Sequence, residues 1–416
     1  MRSGNRHTSA TPESPRHGLD HPIPIRSLEI FLQTPRHAPV ILHVISGLRT
    51  GGAERALYRL VSNGLARAFD THVVSMDTEG TYGAPLRNAG AVVHALDARQ
   101  RPARAAARLA GIARTLRPDL IQGWMYHGNA GALLAHAATR TAAPLLWNIR
   151  QGLDDIRVEG WGTRQAIRAN RLFSRRPRRI LYNSYRSREQ HEAYGFAGHG
   201  GQIIPNGFDT DAFLPDPDRR ARCRTTLGIS QDVVLVGHFA RLHPMKDHAG
   251  LLGAANIALH QGMDAQFLLV GTEVSPAATD FETLVAPDFR DRFHFLGERS
   301  DIPDLMQAID LYVSSSSRAE GFPNVIGEAM AAGVPCIGTD IGDTGRVIGT
   351  SGIVIPPSDA SALAAALIEL APARSRRLAL GQAARRIIKQ TYSIDAVVDR
   401  YIDLYQSVVS DSREKR

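Results

Sequence analysis

The sequence predicts an α/β protein built from two doubly wound domains, each a parallel sheet covered by helices, facing one another across a cleft. Three observations predict it. At 416 residues the chain exceeds the size at which a single core stops growing. Short apolar runs alternate with stretches of helical apolar spacing, which is the grammar of βαβ units joined by right-handed crossovers. A segment dense in turn-forming residues interrupts that grammar near the middle, after which it restarts.

Taken in order, residues 1–38 carry five prolines and four histidines without sustained periodicity and read as a flexible extension. Order begins at Val40–Ile45, an apolar run of the kind buried on both faces of a parallel sheet. A Gly-rich turn from Ser46 to Gly52 leads into helical spacing over Ala53–Ala66. His72–Met76 and Ala91–Leu96 read as strands, and Arg101–Leu116 as an Ala/Arg helix. Leu120–Gln122, Leu145–Ile149 and Ile180–Asn183 read as short strands, and Ile203-Ile204 closes the half. Pro205 to Asp209, followed by Pro215 and Pro217, marks a hinge. Beyond it, Val233–Phe239, Gln266–Gly271, Phe293–Leu296, Leu311–Ser314 and Cys336–Thr339 read as strands. His248–Gln261, Asp301–Ala308, Asn324–Ala332, Ala360–Leu370, Ser375–Lys389 and Ile394–Ser410 read as helices. The expected units are therefore 1–38 (extension), 39–207 and 208–392 (two Rossmann-like domains), and 393–416, a last helix packing back on the first domain. Ligands are expected where strand carboxyl ends face the cleft.

Composition narrows the function. Hydrophobic residues make up 43% and charged residues 22%, values that exclude wholesale disorder and fibre. Two cysteines, Cys223 and Cys336, build no disulfide framework and have no metal-ligand spacing, which fits a reducing cytosol. No apolar run reaches the roughly 18 to 20 residues that span a bilayer. Arg2 and Arg6 are followed by no apolar stretch, so the start does not read as a secretory signal. The net charge of +8 favours an anionic partner. Without aromatic-interleaved basic strands or a recognition-helix pattern, nucleic acid is not that partner.

Three motifs carry chemistry. Gly51-Gly52 precedes a helix whose first N–H groups and dipole attract phosphate; taken alone, the pair fits equally a βα turn that needs flexible residues. Arg241 and Lys246 flank Pro244 after the first strand of the second half. A planar fork and a point charge at that place could both reach one diphosphate, and the alternative is two solvated cations. The third and most specific block runs from Ser314 to Pro335. Glu320 falls in a loop, Pro323 suits a helix start, and N–H groups around Phe322, Pro323, Asn324 and Val325 would face a bound phosphate. Glu328 lies on the first turns of the helix, so carboxylates on either side could grip hydroxyls of a sugar and of a ribose.

Together these residues resemble the large GT-B family of retaining glycosyltransferases called group 1 or family 4. The resemblance covers about residues 40–405 and rests on Gly51-Gly52-Ala53-Glu54, Arg241 with Lys246, Glu320 with Glu328, and Ile204 to Asp209. It implies transfer of a sugar from a nucleotide-diphosphate donor, a UDP-sugar by family frequency, to a glycan or lipid-diphosphate-linked acceptor in cell-surface polysaccharide synthesis. Arg241 and Lys246 would bind the diphosphate, Glu320 the donor sugar and Glu328 the ribose. The Gly51-Gly52 loop would approach from the opposite domain, and Leu296 to Ile302, with Arg299, would contact the base, largely through backbone groups. His127 matches a histidine that the family places beside the reacting sugar. One departure stands out: Arg346 follows Gly342-Asp343-Thr344-Gly345 where many relatives carry Glu.

No cofactor and no metal is expected, because side-chain cations can meet the leaving group's charge and Asp209-Thr210-Asp211 belongs to the hinge. A nucleotide-sugar epimerase of the same two-domain plan is the alternative reading. Finally, Arg164, Arg168, Arg171, Arg175, Arg176, Arg178 and Arg179 crowd one stretch without an acid between Gly160 and Ile180. Four of them recur at helical spacing. That face either docks on anionic lipid at the inner side of the membrane or is a solvated surface of a cytoplasmic protein.

Overall fold

The first apolar run is strand β1 (Val40–Ile45), and its alternating side chains explain why it is apolar throughout. Ile41 and Ile45 enter one core while Leu42 and Val44 enter another on the opposite face, as expected of a strand covered on both sides. The computed structural model describes residues 38–139, 143–318 and 321–414. All but the last residue of the 1–38 extension lies outside the described residues, as does Glu320. Strands β2 (Asp70–Ser75), β3 (Val92–Ala95), β4 (Leu120–Trp124), β5 (Leu145–Ile149), β6 (Arg179–Tyr182) and β7 (Gly201–Ile203) complete the sheet. Its order is β3-β2-β1-β4-β5-β6-β7, and every pairing is parallel, with Ile41 opposite Thr71 on one side and Leu120 on the other.

The second lobe repeats the plan. Strands β8 (Val234–Phe239), β9 (Ala265–Val270), β10 (Phe293–Phe295), β11 (Leu311–Ser314), β12 (Cys336–Thr339) and β13 (Gly352–Ile355) form a parallel sheet in the order β10-β9-β8-β11-β12-β13. Leu235 faces one core and Val236 the other. In both sheets the order reverses beside the first strand, which opens a crevice at the carboxyl ends.

Several elements differ from the sequence reading, each for a local reason. The expected Ala53–Ala66 helix runs Gly52–Leu60, loosens into a π turn over Val61–Leu65, where Gly64 has φ 150°, and closes with Ala66–Ala68. The Met125–Thr139 helix is buried on several sides, so it lacks the one-sided apolar period that betrays a helix. The Tyr185–Ala193 helix is polar almost throughout. Pro215 and Pro217, read as hinge, instead lead into the Pro217–Leu227 helix. Pro217 takes its first position and the Asp216 carboxylate accepts from the N–H groups of Asp218 (2.9 Å) and Arg219 (3.0 Å).

The chain crosses between the lobes twice, side by side. Phe208 N–H donates to the Tyr392 carbonyl and Ile394 N–H to the Phe208 carbonyl, both at 2.8 Å. Gly207 permits this approach, since a Cβ there would fall 2.8 Å from the Cα of Ile394. Past the crossing, the Ile394–Glu414 helix buries Val397, Val398, Tyr401, Leu404, Tyr405 and Val408 in the first lobe's core. Tyr405 Oη donates to Gln122 Oε1 (2.5 Å) and Asn148 Nδ2 donates to Tyr401 Oη (2.8 Å). The end of the chain thus completes the lobe that its beginning starts.

Candidate functional site

A cleft of about 560 Å³ opens at the carboxyl ends of the strands, lined from one lobe by Gly51, Gly52, Arg55, Arg59 and Arg150 and from the other by Arg241, Lys246, Asn324 and Glu328. The glycine loop explains itself sterically. Gly51 is extended (φ −169°, ψ 169°), a conformation any residue adopts, and a Cβ on Gly52 would meet nothing within 4 Å. A Cβ on Gly51 would collide with the Glu54 carboxylate, the movable end of a side chain, so the backbone itself demands neither glycine, and their bareness leaves it open to a ligand at the start of the Gly52–Leu60 helix.

From the second lobe, β8 ends at Phe239 and the chain turns through Arg241 into the 3-10 turn Pro244–Lys246. Asp247 then adopts φ 49° and caps the next helix by accepting from Gly250 N–H (3.0 Å). The serine run after β11 holds this corner: Ser315 Oγ donates to the Lys246 carbonyl (2.8 Å) and Ser317 N–H to the Met245 carbonyl (2.8 Å). The two cations sit on a clamped loop, the preorganisation that electrostatic stabilisation needs.

Glu328 is nearly buried on the Asn324–Ala331 helix. Burial pushes its carboxyl above the usual range, while Arg59 and Arg55 on the facing helix oppose that rise. The Arg59 guanidinium stands 3.9 Å from Glu328 Oε1, an approach across the cleft rather than a hydrogen bond. Among the described residues the cleft presents five cationic side chains and one carboxylate, so its field favours an anion.

An adjoining recess of about 340 Å³ shares Gly52 and Arg150 with the cleft and adds Glu54, Tyr126, His127, Gln151, Glu159 and Thr163. Here β4 passes straight into the Met125–Thr139 helix with Met125 at φ 60°. A non-glycine residue held in that region marks a constrained turn, and it sets His127 in the helix's first turn, facing the recess. Burial, then the nearby Arg99, hold the His127 imidazole below its ordinary range. Burial also raises the Glu54 carboxyl.

The structure therefore brings Gly51, Gly52, Arg241, Lys246, Asn324 and Glu328 to one cleft and His127 to its neighbour. Pro323 is the cap position of the Glu328 helix. Phe322 is buried and stacks on Phe208, with ring centroids 6.0 Å apart, which leaves its backbone for a ligand, and Val325 packs half-buried on the second lobe's core. Arg299 stands apart from the cleft: its guanidinium is occupied by Asp301 two residues on (2.8 and 2.6 Å), in a separate depression beside Asp216, Cys223 and Asp304, which leaves the loop's backbone groups for the expected base contact. The sequence reading did not single out Arg55 and Arg59, although their spacing from Gly52 places all three on one helix face. Arg150, Asn206 and Tyr401 also line the cleft; Asn206 belongs to the stretch from Ile204 to Asp209 already singled out, whereas no local signal marks Tyr401.

The lobes also meet beside the cleft. The Asp343 carboxylate accepts from the backbone N–H groups of Tyr185 (2.9 Å) and Arg186 (3.1 Å), which open a first-lobe helix. Arg346, the departure from the family pattern, lies over the Tyr185 ring at 4.1 Å from its centroid. Asn206 Nδ2 donates to Asn324 Oδ1 (2.5 Å).

Comparison with known proteins agrees with this architecture. Residues 50–212 match the family described as Glycosyltransferase Family 4, and residues 231–372 match Glycosyl transferases group 1. A Bacillus subtilis protein named as the glycosyltransferase EpsF is 32% identical over 190 residues, 45% of this chain and 47% of that one. The UDP-Gal:alpha-D-GlcNAc-diphosphoundecaprenol alpha-1,3-galactosyltransferase of Escherichia coli is 26% identical over 211 residues, 50% of this chain and 54% of that one. The chain spans about half the length of the curated relatives it matches. The crystal structure of HepE from Anabaena in complex with UDP superposes with a TM-score of 0.76 at 22% identity, covering 89% of this chain and 100% of that one; at that identity the likeness shows the fold.

Proposed function

The chain belongs to the group 1, family 4 glycosyltransferases of GT-B fold, and we propose that its cleft binds a nucleotide-diphosphate sugar, UDP-linked first of all. In this reading the sugar passes, with retention of anomeric configuration, to a glycan or lipid-linked acceptor in cell-surface polysaccharide synthesis. The observation that supports it most is the convergence of Arg241 and Lys246 with Gly51, Gly52, Arg55 and Arg59 around one carboxylate. As the bond from the sugar's anomeric carbon to the diphosphate breaks, negative charge grows on the departing phosphate, and cations already in place meet it without a metal; the acceptor oxygen bonds to the anomeric carbon, and its hydroxyl proton passes to the departing phosphate oxygen. Glu328 would accept from a ribose hydroxyl, Glu320 from a donor-sugar hydroxyl, and His127 would contact the sugar from the adjoining recess. The E. coli relative acts, by its name, on a diphosphoundecaprenol-linked acceptor, which favours an acceptor of that class.

The test is a thermal-shift series with UDP, GDP and ADP, followed by transfer assays. A ligand at a hundredfold its dissociation constant stabilises by about 2.7 kcal/mol. Stabilisation by one nucleoside diphosphate, lost in Glu328→Ala and largely kept in Glu320→Ala, is expected, with transfer surviving EDTA. Equal stabilisation of both variants overturns the two glutamate assignments. An epimer formed from donor without acceptor overturns the transferase reading.

A further inference from the structure

We infer that the outer face of the Trp161–Phe173 helix docks on an anionic phospholipid surface. Its arginines are visible in the sequence, but the structure adds apolar side chains among them that point to water. Of three tryptophans, Trp124 and Trp147 are completely buried, whereas Trp161 is 72% exposed. Leu172 is 76% exposed, and Val158, in the turn just ahead, 82%. At 3.6 residues per turn, Trp161, Arg168 and Leu172 fall on one stripe with Arg164 beside it, while Ile167 and Asn170 turn to the core. Arg175 and Arg176 continue the exposed positive surface past the helix end.

This surface is not neutralised by its own acids. Asp155 is paired with Arg157 and Asp411 with Arg178, and no Asp or Glu occurs between Gly160 and Ile180. A lipid headgroup layer satisfies both halves of such a face at once. Indole and leucine leave water at the acyl boundary while guanidinium groups meet phosphate. The opposite side of the same helix contributes Thr163 to the recess that holds His127, and Glu159 enters it from the preceding turn. Docking therefore sets that recess beside the membrane. That an acceptor held in the lipid enters there rests on the proposed function; the docking itself does not.

The full chain carries its own probe, because Trp161 is the exposed tryptophan. Vesicles of phosphatidylglycerol and phosphatidylcholine, with a brominated acyl chain, should quench and blue-shift its emission at low salt. Pure phosphatidylcholine vesicles should do little, and high salt should reverse the effect. Trp161→Phe should abolish the quenching, and Arg168→Glu with Arg175→Glu should lower vesicle partitioning by about tenfold or more. UDP thermal stabilisation should be unchanged in these variants. Equal binding to neutral and anionic vesicles overturns the inference, as does anionic binding that leaves tryptophan emission unaltered. Shielding of Trp161 that follows protein concentration alone also overturns it, and assigns the face to a second copy. Docking without any UDP stabilisation of the parent protein defeats the proposed function alone; UDP stabilisation without docking defeats this inference alone.

Discussion

Arg150 lines both recesses, and partners from distant segments fix its direction. Its guanidinium lies over the Trp124 ring at 5.7 Å from the centroid and donates to Tyr401 Oη (3.1 Å), Asn148 Oδ1 (3.4 Å) and Asn206 Oδ1. A lysine cannot reproduce a planar fork held on three sides. Arg150→Lys should therefore slow transfer about tenfold or more while leaving UDP stabilisation nearly intact; an unchanged turnover rate would refute that. Arg241→Ala should cost about 10² to 10³ in kcat, the usual loss when one preorganised charge is removed from a transition state. His127 is held below the ordinary imidazole range by burial and Arg99, so it is neutral at pH 7 and stays neutral to lower pH than a free histidine. The rate should be flat as pH falls through about 6.5 and drop only below that. In His127→Ala the acid limb should vanish together with much of the activity.

The bridge between Asp343 and the Tyr185–Ala193 helix fastens an element of one lobe to an element of the other. A carboxylate accepting two N–H groups at a helix start is a cap supplied in trans. Asp343→Ala should cost about 1 kcal/mol and show itself as faster amide exchange at Tyr185 and Arg186, with exchange in β1 unchanged. Burial raises the Asp343 carboxyl, against the pull of those amides and of Arg346. Protonation, which removes the anionic acceptor, thus begins at higher pH than for a free aspartate, and the bridge should weaken on acidification from there. Elements were legible where one side is wet or where a run is uniformly apolar, as in β1 and β8. The Met125–Thr139 helix was not, because burial on several sides erases its period, and neither was the Tyr185–Ala193 helix, whose stability comes from Ser184 and Asp343 at its start.

The terminal helix completes the first lobe's core, and the stability of both lobes depends on pH. Removing the Tyr405 hydroxyl strands a buried Gln122 oxygen, so Tyr405→Phe should destabilise the whole molecule by about 1 to 3 kcal/mol; a urea midpoint equal to that of the parent would contradict this. Burial lowers His43 and His238 to about 3 and His191 to about 4. His43 Nδ1 accepts from Trp124 Nε1 (3.1 Å), and His191 lies between Tyr126 Oη and the Ser187 carbonyl at 2.7 Å each. In the unfolded chain these imidazoles titrate near 6.5. Between about pH 4 and 6.5 the unfolded state binds protons that the native state refuses, so stability falls as pH drops through that window, by up to about 1.4 kcal/mol per unit for each histidine. Urea midpoints that hold steady from pH 7.5 to 5 would refute the assignment.

Parallel strands, the glycine turn, the hinge and the Arg241–Lys246 loop can be read from the letters, because each depends on neighbours a few positions away and strand carboxyl ends are where ligands sit. The meeting of Arg150 with Tyr401, 251 positions apart, has no such local sign. Nor does the fate of a tryptophan: Trp124 and Trp147 vanish beneath segments folded over them, while nothing in the described chain covers Trp161 to that degree. Burial is a relation between distant surfaces, settled only when the two sheets, the paired crossings and the terminal helix close on one another.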